Sequence, residues 1–260
     1  MDFLSQITPV MLTWNEAANL ERSLARLDWA KEIVVVDCRS TDGTLDLLAR
    51  HPRVRLLSRS FDDHASQWRF ALEQGAIATP WVLRLDADYV LSQRLIEELR
   101  GLHPDAATAA YRIAFDYLIG GRRLRRSLYP PNTVLFRLGW AQPYQDGHTE
   151  RWRVEGRVGR LQGRIAHDDR KPVEAWLLAQ VRYQRRERDK LLAAEPGTLR
   201  RRDRLRLRHW IAPAAVFLWC LFGRGLILDG RAGLAYAYQR ALTETVLALY
   251  LLEARSGTQR

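Results

Sequence analysis

Cysteine is scarce in this chain of 260 residues, which contains only Cys38 and Cys220. Two thiols exclude a disulfide-stapled scaffold and a cysteine-based zinc cluster, and they fit a reducing compartment. No basic segment precedes the first apolar residues, so we expect no secretory signal. Hydrophobic residues make up 47% of the sequence and charged residues 27%, a composition that excludes a disordered chain or a fibre.

Two common phosphate-binding motifs are also missing. No Gly-x-Gly-x-x-Gly follows the first apolar run, and no Gly-Lys-Ser/Thr loop occurs anywhere. Their absence argues against a dinucleotide-dependent oxidoreductase and against a P-loop nucleotidase. A sugar-phosphate nucleotidyltransferase stays open as an alternative function, although its glycine-rich triphosphate loop is absent after the first predicted strand.

Lysine supplies only three of the 41 basic residues, and 30 acidic residues leave a net charge of +11. The charge is uneven: residues 1–100 carry 12 basic and 15 acidic side chains (−3), and residues 101–260 carry 29 and 15 (+14). Arginine suits the phosphates of nucleotides, lipids or nucleic acids, and a solvated arginine-rich surface is the alternative. An arginine-rich nucleic-acid-binding protein is therefore a second candidate, but no helix-turn-helix or RNA-binding signature supports it, so we expect no nucleic-acid partner.

The first hundred residues alternate strand and helix patterns. Predicted strands occupy 7–13, 32–37, 54–57 and 81–85, and predicted helices occupy 15–27, 65–76 and 95–102. Residues 40–44 offer N-cap candidates for a further helix that runs through residue 49. This order predicts an α/β fold whose doubly wound, mostly parallel sheet has helices on both faces. Ligands bind beyond the carboxyl ends of the strands in such sheets. We interpret residues 105–170 as mixed strands and loops that complete the same domain.

The last third is helical and rich in arginine. A helix is predicted over 173–192, and residues 200–208 contain six arginines. The uncharged stretch 209–223 would span roughly 22 Å as a helix at about 1.5 Å per residue, too short for a bilayer core of about 30 Å. We therefore predict an amphipathic interfacial or re-entrant segment beside anionic lipid, paired with a second helix over 234–252. A buried core helix is the alternative.

Acidic residues stand at the ends of the predicted strands. Asp86 and Asp88 follow the apolar strand 81–85, and two carboxylates with open positions suit Mg²⁺ or Mn²⁺ on a phosphate substrate. Capping of a helix that begins near Ser92 is their alternative role. Asp37 ends the second strand, where it can accept hydrogen bonds from a base or ribose or cap the following turn.

Three motifs occur in a familiar order. Thr13-Trp14-Asn15-Glu16, Ile33–Thr44 (IVVVDCRSTDGT) and Trp81–Asp88 (WVLRLDAD) resemble the motifs of family 2 glycosyltransferases of the GT-A fold. Gln180-x-Arg182-Tyr183 and Leu228-Asp229-Gly230-Arg231-Ala232-Gly233 resemble the branch of lipopolysaccharide-core glucosyltransferases and envelope-polysaccharide enzymes. The resemblance implies a GT-A catalytic domain over 1–172 and a helical, membrane-associated region over 173–260.

The resemblance also implies roles for individual residues. The implied nucleotide-sugar pocket comprises Thr13, Asn15, Glu16, Asp37, Asp86 and Arg182. Asp86, Asp88 and His167 would hold the Mg²⁺ or Mn²⁺ that bridges the diphosphate. Glu150 is the implied catalytic base and Asp146 its alternative, and a surface salt bridge of Glu150 with Arg151 or Arg153 is the competing interpretation. Tyr89 replaces a frequent acidic residue, and we expect this change to matter little.

The activity implied by the resemblance is metal-dependent and inverting. It transfers a hexose from a nucleotide sugar, which we expect to be UDP-linked, to a lipid-anchored saccharide in lipopolysaccharide-core or exopolysaccharide synthesis. The expected location is the cytoplasmic face of a bacterial inner membrane, where the C-terminal region would contact the anionic surface.

Overall fold

The computed structural model describes residues 2–199, 201–208 and 210–256. The described residues form two compact units. The first comprises 2–118, 129–145 and 149–170, and the second comprises 119–128, 146–148 and 171–256. The second unit thus takes two short segments from the middle of the chain in addition to the C-terminal region. Arg200, in the predicted arginine cluster, and His209, in the predicted apolar stretch, lie outside the described residues.

Strands dominate the first unit. They are β1 (Ile7–Thr13), β2 (Ile33–Asp37), β3 (Val54–Ser58), β4 (Trp81–Asp86), β5 (Tyr89–Leu91), β6 (Thr108–Ile119), β7 (Arg122–Arg123), β8 (Asn132–Arg137), β9 (Ala141–Asp146), β10 (Thr149–Val154) and β11 (Arg157–His167), with β7 in the second unit. The helices of the first unit are α1 (Ala17–Leu24), α2 (Thr44–Ala49), α3 (His64–Gln74) and α4 (Gln93–Arg100), and a 3-10 turn covers Phe3–Gln6.

The main sheet has the strand order β3-β2-β1-β4-β8-β6-β11-β5. Strands β1 to β4 run parallel to their neighbours among themselves, whereas β8 is antiparallel to both β4 and β6. Strands β9 and β10 form a separate two-stranded sheet. The predicted α/β fold is confirmed, with a mixed sheet that is parallel over β3-β2-β1-β4 and antiparallel at β8. The register pairs Thr13 with Asp37 and Leu12 with Asp86, so the ends of β1, β2 and β4 lie at one edge.

Both faces of the parallel strands β1, β2 and β4 are buried, whereas β3 is only partly buried. On one face Val34 and Val36 pack with Trp68 of α3, and on the other Val35 packs with Leu20 of α1. All five side chains are fully buried. This two-sided burial explains why residues 33–36 of β2 are a continuous β-branched run instead of an alternating pattern.

The second unit is helical. It contains α5 (Val173–Ala193), α6 (Arg201–Leu207), α7 (Ala212–Leu218), a π-helix (Trp219–Gly223), 3-10 turns at Pro196–Thr198 and Leu226–Asp229, and α8 (Gly230–Arg255). Helix α7 packs on α8, with the rings of Phe217 and Tyr238 5.1 Å apart, so the predicted pairing of these helices is confirmed. Within the described ranges, no single helix has the length and apolarity to cross a bilayer. The segments 212–223 and 226–254 meet these criteria only as a pair, bent by 73°.

Candidate active site

The carboxylate of Asp37 organises the loops at the carboxyl ends of β1 and β2. It accepts hydrogen bonds from the Thr13 hydroxyl (2.8 Å), the Ser40 hydroxyl (2.6 Å) and the Ser40 backbone N–H (2.7 Å). Asp37 and Thr13 are both buried. These bonds show Asp37 capping the turn after β2, one of the two roles expected from the sequence. Its contact with a nucleotide stays a prediction.

The loop after β1 is joined to the loop after β2. The Asn15 N–H donates to the Ser40 hydroxyl (2.8 Å), the Asn15 side-chain oxygen accepts from the Thr41 N–H (2.8 Å), and the Glu16 N–H donates to the Thr44 hydroxyl (2.7 Å). Asn15 adopts a φ of +53°, a left-handed conformation that asparagine tolerates. Helix α1 therefore begins at Ala17 and not at residue 15 as the pattern predicts. The structure brings the predicted pocket residues of β1 and β2 together.

Two further predicted residues, Asp88 just after β4 and His167 in β11, are in contact. The Asp88 carboxylate is 2.8 Å from Nε2 of His167 at the end of β11, and the Asp168 N–H donates to the Asp88 carbonyl (3.1 Å). The hydroxyl of Ser92 caps α4 by accepting from the Leu95 N–H. The alternative in which the two aspartates cap this helix is therefore wrong.

Aromatic rings enclose His167. The rings of Tyr89, Tyr117 and Tyr129 meet its imidazole edge-to-face, with centroids 5.4, 4.6 and 4.7 Å away, and the hydroxyls of Tyr89 and Tyr129 are hydrogen-bonded. Burial acts to lower the pKa of His167, but the carboxylates of Asp88 and its acidic neighbours outweigh burial and raise this pKa. Nδ1 of His167 is buried and has no hydrogen-bond partner in the described part of the chain.

The buried side chain of Asn19 links the loop after β1 to the segment that follows His167. Nδ2 of Asn19 in α1 donates to the Glu16 carboxylate (2.8 Å) and to the Asp169 carboxylate (3.0 Å). Arg22, one turn further along α1, forms an ion pair with Asp168. The loop after β1 and the segment that follows β11 therefore belong to one hydrogen-bonded network at the carboxyl edge of the sheet.

The side chains of Asp88 and His167 provide only part of a binding site for a hard cation. Among residues 2–199, 201–208 and 210–256, no three His, Cys, Asp or Glu side chains converge closely enough to hold a metal ion. The predicted trio of Asp86, Asp88 and His167 is thus not assembled as a complete ligand set, although Asp88 and His167 are in contact. A carboxylate suits Mg²⁺ or Mn²⁺ when a substrate diphosphate and water complete the coordination, and the softer imidazole favours Mn²⁺ over Mg²⁺.

Glu150 in β10 forms a buried ion pair with Arg84 in β4. The Arg84 side chain is 4% exposed and that of Glu150 14%. The Arg84 guanidinium lies 5.5 Å from the ring centroids of both Trp68 and Trp152, and its Nε donates to the Thr133 carbonyl (3.2 Å). Burial acts to lower the pKa of Arg84, but the nearby carboxylates, Glu150 first, raise it. Sequence reasoning missed this partner, whose signal is a single arginine inside an otherwise apolar strand.

Asp146 and Arg182 belong to the second unit. The Asp146 carboxylate forms an ion pair with Lys190 of α5 (2.6 Å), and Arg182 is exposed on the same helix. The implied roles of Asp146 as alternative base and of Arg182 at the diphosphate stay predictions.

Known proteins resemble parts of this chain. Lipopolysaccharide core biosynthesis glycosyltransferase LpsC of Rhizobium meliloti is 33% identical over 124 residues, which are 46% of this chain and 42% of that protein. An uncharacterized glycosyltransferase of Rickettsia typhi, RT0209, is 28% identical over 136 residues, 51% of this chain and 46% of that protein. The chain thus spans less than half the length of these curated relatives.

Solved structures show a weaker likeness. The crystal structure of Staphylococcus aureus TarS 1-349 has a TM-score of 0.47 and 14% identity, covering 97% of this chain and 92% of TarS 1-349. Its complex with UDP-GlcNAc has a TM-score of 0.48. Structural similarity at this level does not indicate which ligand this chain binds. The profile described as glycosyl transferase family 2, by contrast, matches residues 9–153, more than half of the sequence. The chain belongs to glycosyl transferase family 2.

Proposed function

We propose that this protein is a glycosyltransferase that transfers a hexose from a nucleotide sugar to a saccharide acceptor. One observation carries the proposal: in a family 2 chain, the β1 and β2 loops and the Asp88–His167 pair share one hydrogen-bonded edge of the sheet. Ligands bind at this edge in open α/β sheets.

The donor is proposed to be UDP-linked. The hydrogen bonds of Asp37 and Asn15 fix the conformation of the β1 and β2 loops, which limits the conformational entropy lost when a nucleotide binds. The pocket is assigned to Thr13, Asn15, Glu16, Asp37 and Asp86, with Arg182 contacting the diphosphate or an anionic acceptor.

The proposed cofactor is Mg²⁺ or Mn²⁺, held by Asp88 and His167 with Asp86 nearby. When bound, a divalent cation neutralises the charge that develops on the departing nucleoside diphosphate. The protein's own part is to fix the two ligands: the Asp168 N–H holds the Asp88 backbone, and three tyrosine rings fix the plane of the imidazole.

The proposed inverting mechanism uses a carboxylate that takes the proton of the acceptor hydroxyl as the hydroxyl attacks the sugar. Glu150 is the proposed base. Its ion pair with Arg84 supports this role because the buried guanidinium fixes the orientation of the carboxylate. Asp146 is the alternative base.

The acceptor is proposed to be a lipid-anchored saccharide at the cytoplasmic face of a bacterial inner membrane. LpsC, whose name places it in lipopolysaccharide core biosynthesis, supports an envelope-glycan acceptor. Nucleic-acid binding and nucleotidyl transfer are the remaining candidates, and neither is favoured in a chain of this family.

Donor hydrolysis and transfer by Asp88→Ala test the proposal. We expect the wild type to hydrolyse one member of a UDP-sugar panel when Mn²⁺ is present. The hydrolysis rate of Asp88→Ala should be more than about 100-fold lower than that of the wild type. Asp46→Ala, at an exposed position of α2, is the matched control and should keep full activity. Full turnover by a folded Asp88→Ala variant would remove the metal role, and a wild type inactive on every nucleotide sugar would reject the function.

A further inference from the structure

The second unit exposes large apolar side chains at a sharp bend of the backbone. We call residues 218–228, from the end of α7 through the π-helix to the 3-10 turn, the apolar bend. Five of its large side chains are more than half exposed: Leu218 (53%), Trp219 (56%), Phe222 (65%), Ile227 (53%) and Leu228 (66%). Large apolar groups exposed together mark a binding surface for another molecule or a membrane.

The conformation of the apolar bend is fixed by glycines. Gly225 and Gly230 flank the 3-10 turn with φ values of +67° and +58°, which side chains with a Cβ rarely adopt. A Cβ on Gly233 would lie 1.9 Å from the Leu226 carbonyl oxygen, so only glycine allows α8 to approach the turn this closely. Leu226 is buried, whereas the next two residues point outward. The exposure is therefore a built feature of the fold.

A segment about 100 residues earlier in the chain is fastened beside this bend. The Arg125 N–H donates to the Asp229 carboxylate (3.0 Å), and the Leu128 N–H donates to the Tyr236 hydroxyl (2.9 Å). Nη2 of Arg224 donates to the carbonyl of Ser127 (2.7 Å). All of these residues lie in the second unit. The contacts place residues 122–126, which we call the arginine strap, next to the 3-10 turn and the start of α8.

The arginine strap adds four positive charges to the border of the apolar bend. Arg122, Arg123, Arg125 and Arg126 are exposed, and the sequence 119–128 contains no acidic residue. Asp229 pairs with Arg125 (3.3 Å), and its side chain is only 7% exposed. Arg231, at the start of α8, is exposed as well. Aromatic and aliphatic groups bordered by arginines match the boundary between acyl chains and anionic headgroups.

We propose that the apolar bend and the arginine strap together form a docking surface for an anionic phospholipid bilayer. The large side chains of the bend enter the headgroup region while the arginines contact lipid phosphates. Charge complementarity favours a bilayer over a second copy of the chain, because a symmetric contact would bring two arginine straps against each other. The proposal makes specific the membrane location in the proposed function, but it does not depend on glycosyl transfer.

Vesicle flotation of the full chain tests this surface. The probes are vesicles of phosphatidylcholine alone and of phosphatidylcholine with one quarter phosphatidylglycerol. A strap variant carries R122Q, R123Q, R125Q and R126Q, and a bend variant carries W219S, F222S and L228S. The control carries R26Q, R50Q, R94Q and R100Q, four exposed arginines of the first unit with the same change in charge.

We expect the wild type to bind the anionic vesicles and to bind phosphatidylcholine alone much more weakly. Each arginine near an anionic surface is worth a factor of about five, so the strap variant, which lacks four of them, should bind about 600-fold more weakly while the control changes little. Equal binding by the strap variant and the control would overturn the proposal. Self-association of the wild type without vesicle binding would also overturn it, in favour of a second copy as the occupant.

The bend variant separates insertion from simple charge attraction. We expect it to lose most of its vesicle binding at 0.3 M salt, where screening weakens the arginine contacts. Unchanged binding at that salt concentration would contradict insertion of the apolar side chains. Donor hydrolysis, measured without vesicles, keeps the two proposals apart: binding without hydrolysis rejects the proposed function alone, and hydrolysis without binding rejects the docking surface alone.

Discussion

Replacing Arg84 by methionine tests the buried ion pair with Glu150. Both side chains are nearly inaccessible, so the substitution leaves a carboxylate in a low-dielectric site with no cation. Breaking a buried pair in this way costs about 3–5 kcal/mol. The Thr133 carbonyl also loses its donor, and the Trp68 and Trp152 rings lose a cation. We therefore expect the free energy of unfolding to fall by about 4 kcal/mol.

Urea unfolding at neutral pH measures this change. Arg100→Met is the matched control because its pair with Asp2 is 3.4 Å long and about half exposed, and its loss should cost at most ~1 kcal/mol. The double variant R84M/E150M removes both charges, so we expect it to recover most of the stability lost in R84M. A cost for R84M no larger than that of Arg100→Met would refute the buried pair.

Three further predictions follow from the contacts of Glu187, Gly147 and Glu150. Burial acts to raise the pKa of Glu187, but the hydrogen bond with His148 and nearby cations lower it to about 2. Its stabilisation, about 3 kcal/mol, is present above pH 4.5 and lost as the pH falls toward 2, so Glu187→Gln should flatten the acid-unfolding profile. A Cβ on Gly147 (φ +67°) would lie 2.2 Å from Glu187 Oε2, whereas one on Gly120 (φ +56°) meets nothing within 4 Å. Thermal unfolding should therefore show Gly147→Ala more destabilised than Gly120→Ala by at least about 1 kcal/mol, and equal losses would contradict this packing. Glu150→Gln should lower kcat of transfer by about 100-fold or more with unchanged donor affinity, and wild-type kcat would leave Asp146 as the candidate base.

The parallel half of the sheet could be predicted from sequence because its strands are buried on both faces. Residues 33–36 form a continuous β-branched run, which is typical of a strand buried on both faces. The position of β8, antiparallel between β4 and β6, depends on pairings between distant segments and has no local signal. Helix α1 begins at Ala17, two residues later than the spacing of apolar residues predicts. The reason is local, because Asn15 has a positive φ that is incompatible with a right-handed helix.

The candidate site was predictable where its residues end strands. Thr13 and Asp37 stand at the carboxyl ends of neighbouring parallel strands, where the register places them side by side and their side chains are hydrogen-bonded. The contact between Asp88 and His167 joins residues 79 positions apart, so the family resemblance alone suggested it. Arg84 has a local signal, as the single arginine of an apolar strand, but nothing local in the sequence identified Glu150 as its partner. The burial of the arginine also depends on two tryptophans from other elements.

The arginine strap shows a different limit of sequence reasoning. Its charges were visible, but residues 105–170 were expected to complete a single domain, whereas 119–128 belong to the second unit. Backbone hydrogen bonds to Asp229 and Tyr236 place the segment there. Since backbone donors are common to nearly all residues, no pattern in the strap itself could reveal its partner.

A crystal structure of the protein soaked with UDP and Mn²⁺ tests the central claim most directly. We predict nucleotide density along the loops after β1 and β2, with one manganese peak between the diphosphate and the side chains of Asp88 and His167. Nucleotide bound elsewhere on the chain, or a manganese peak away from both side chains, would contradict the account.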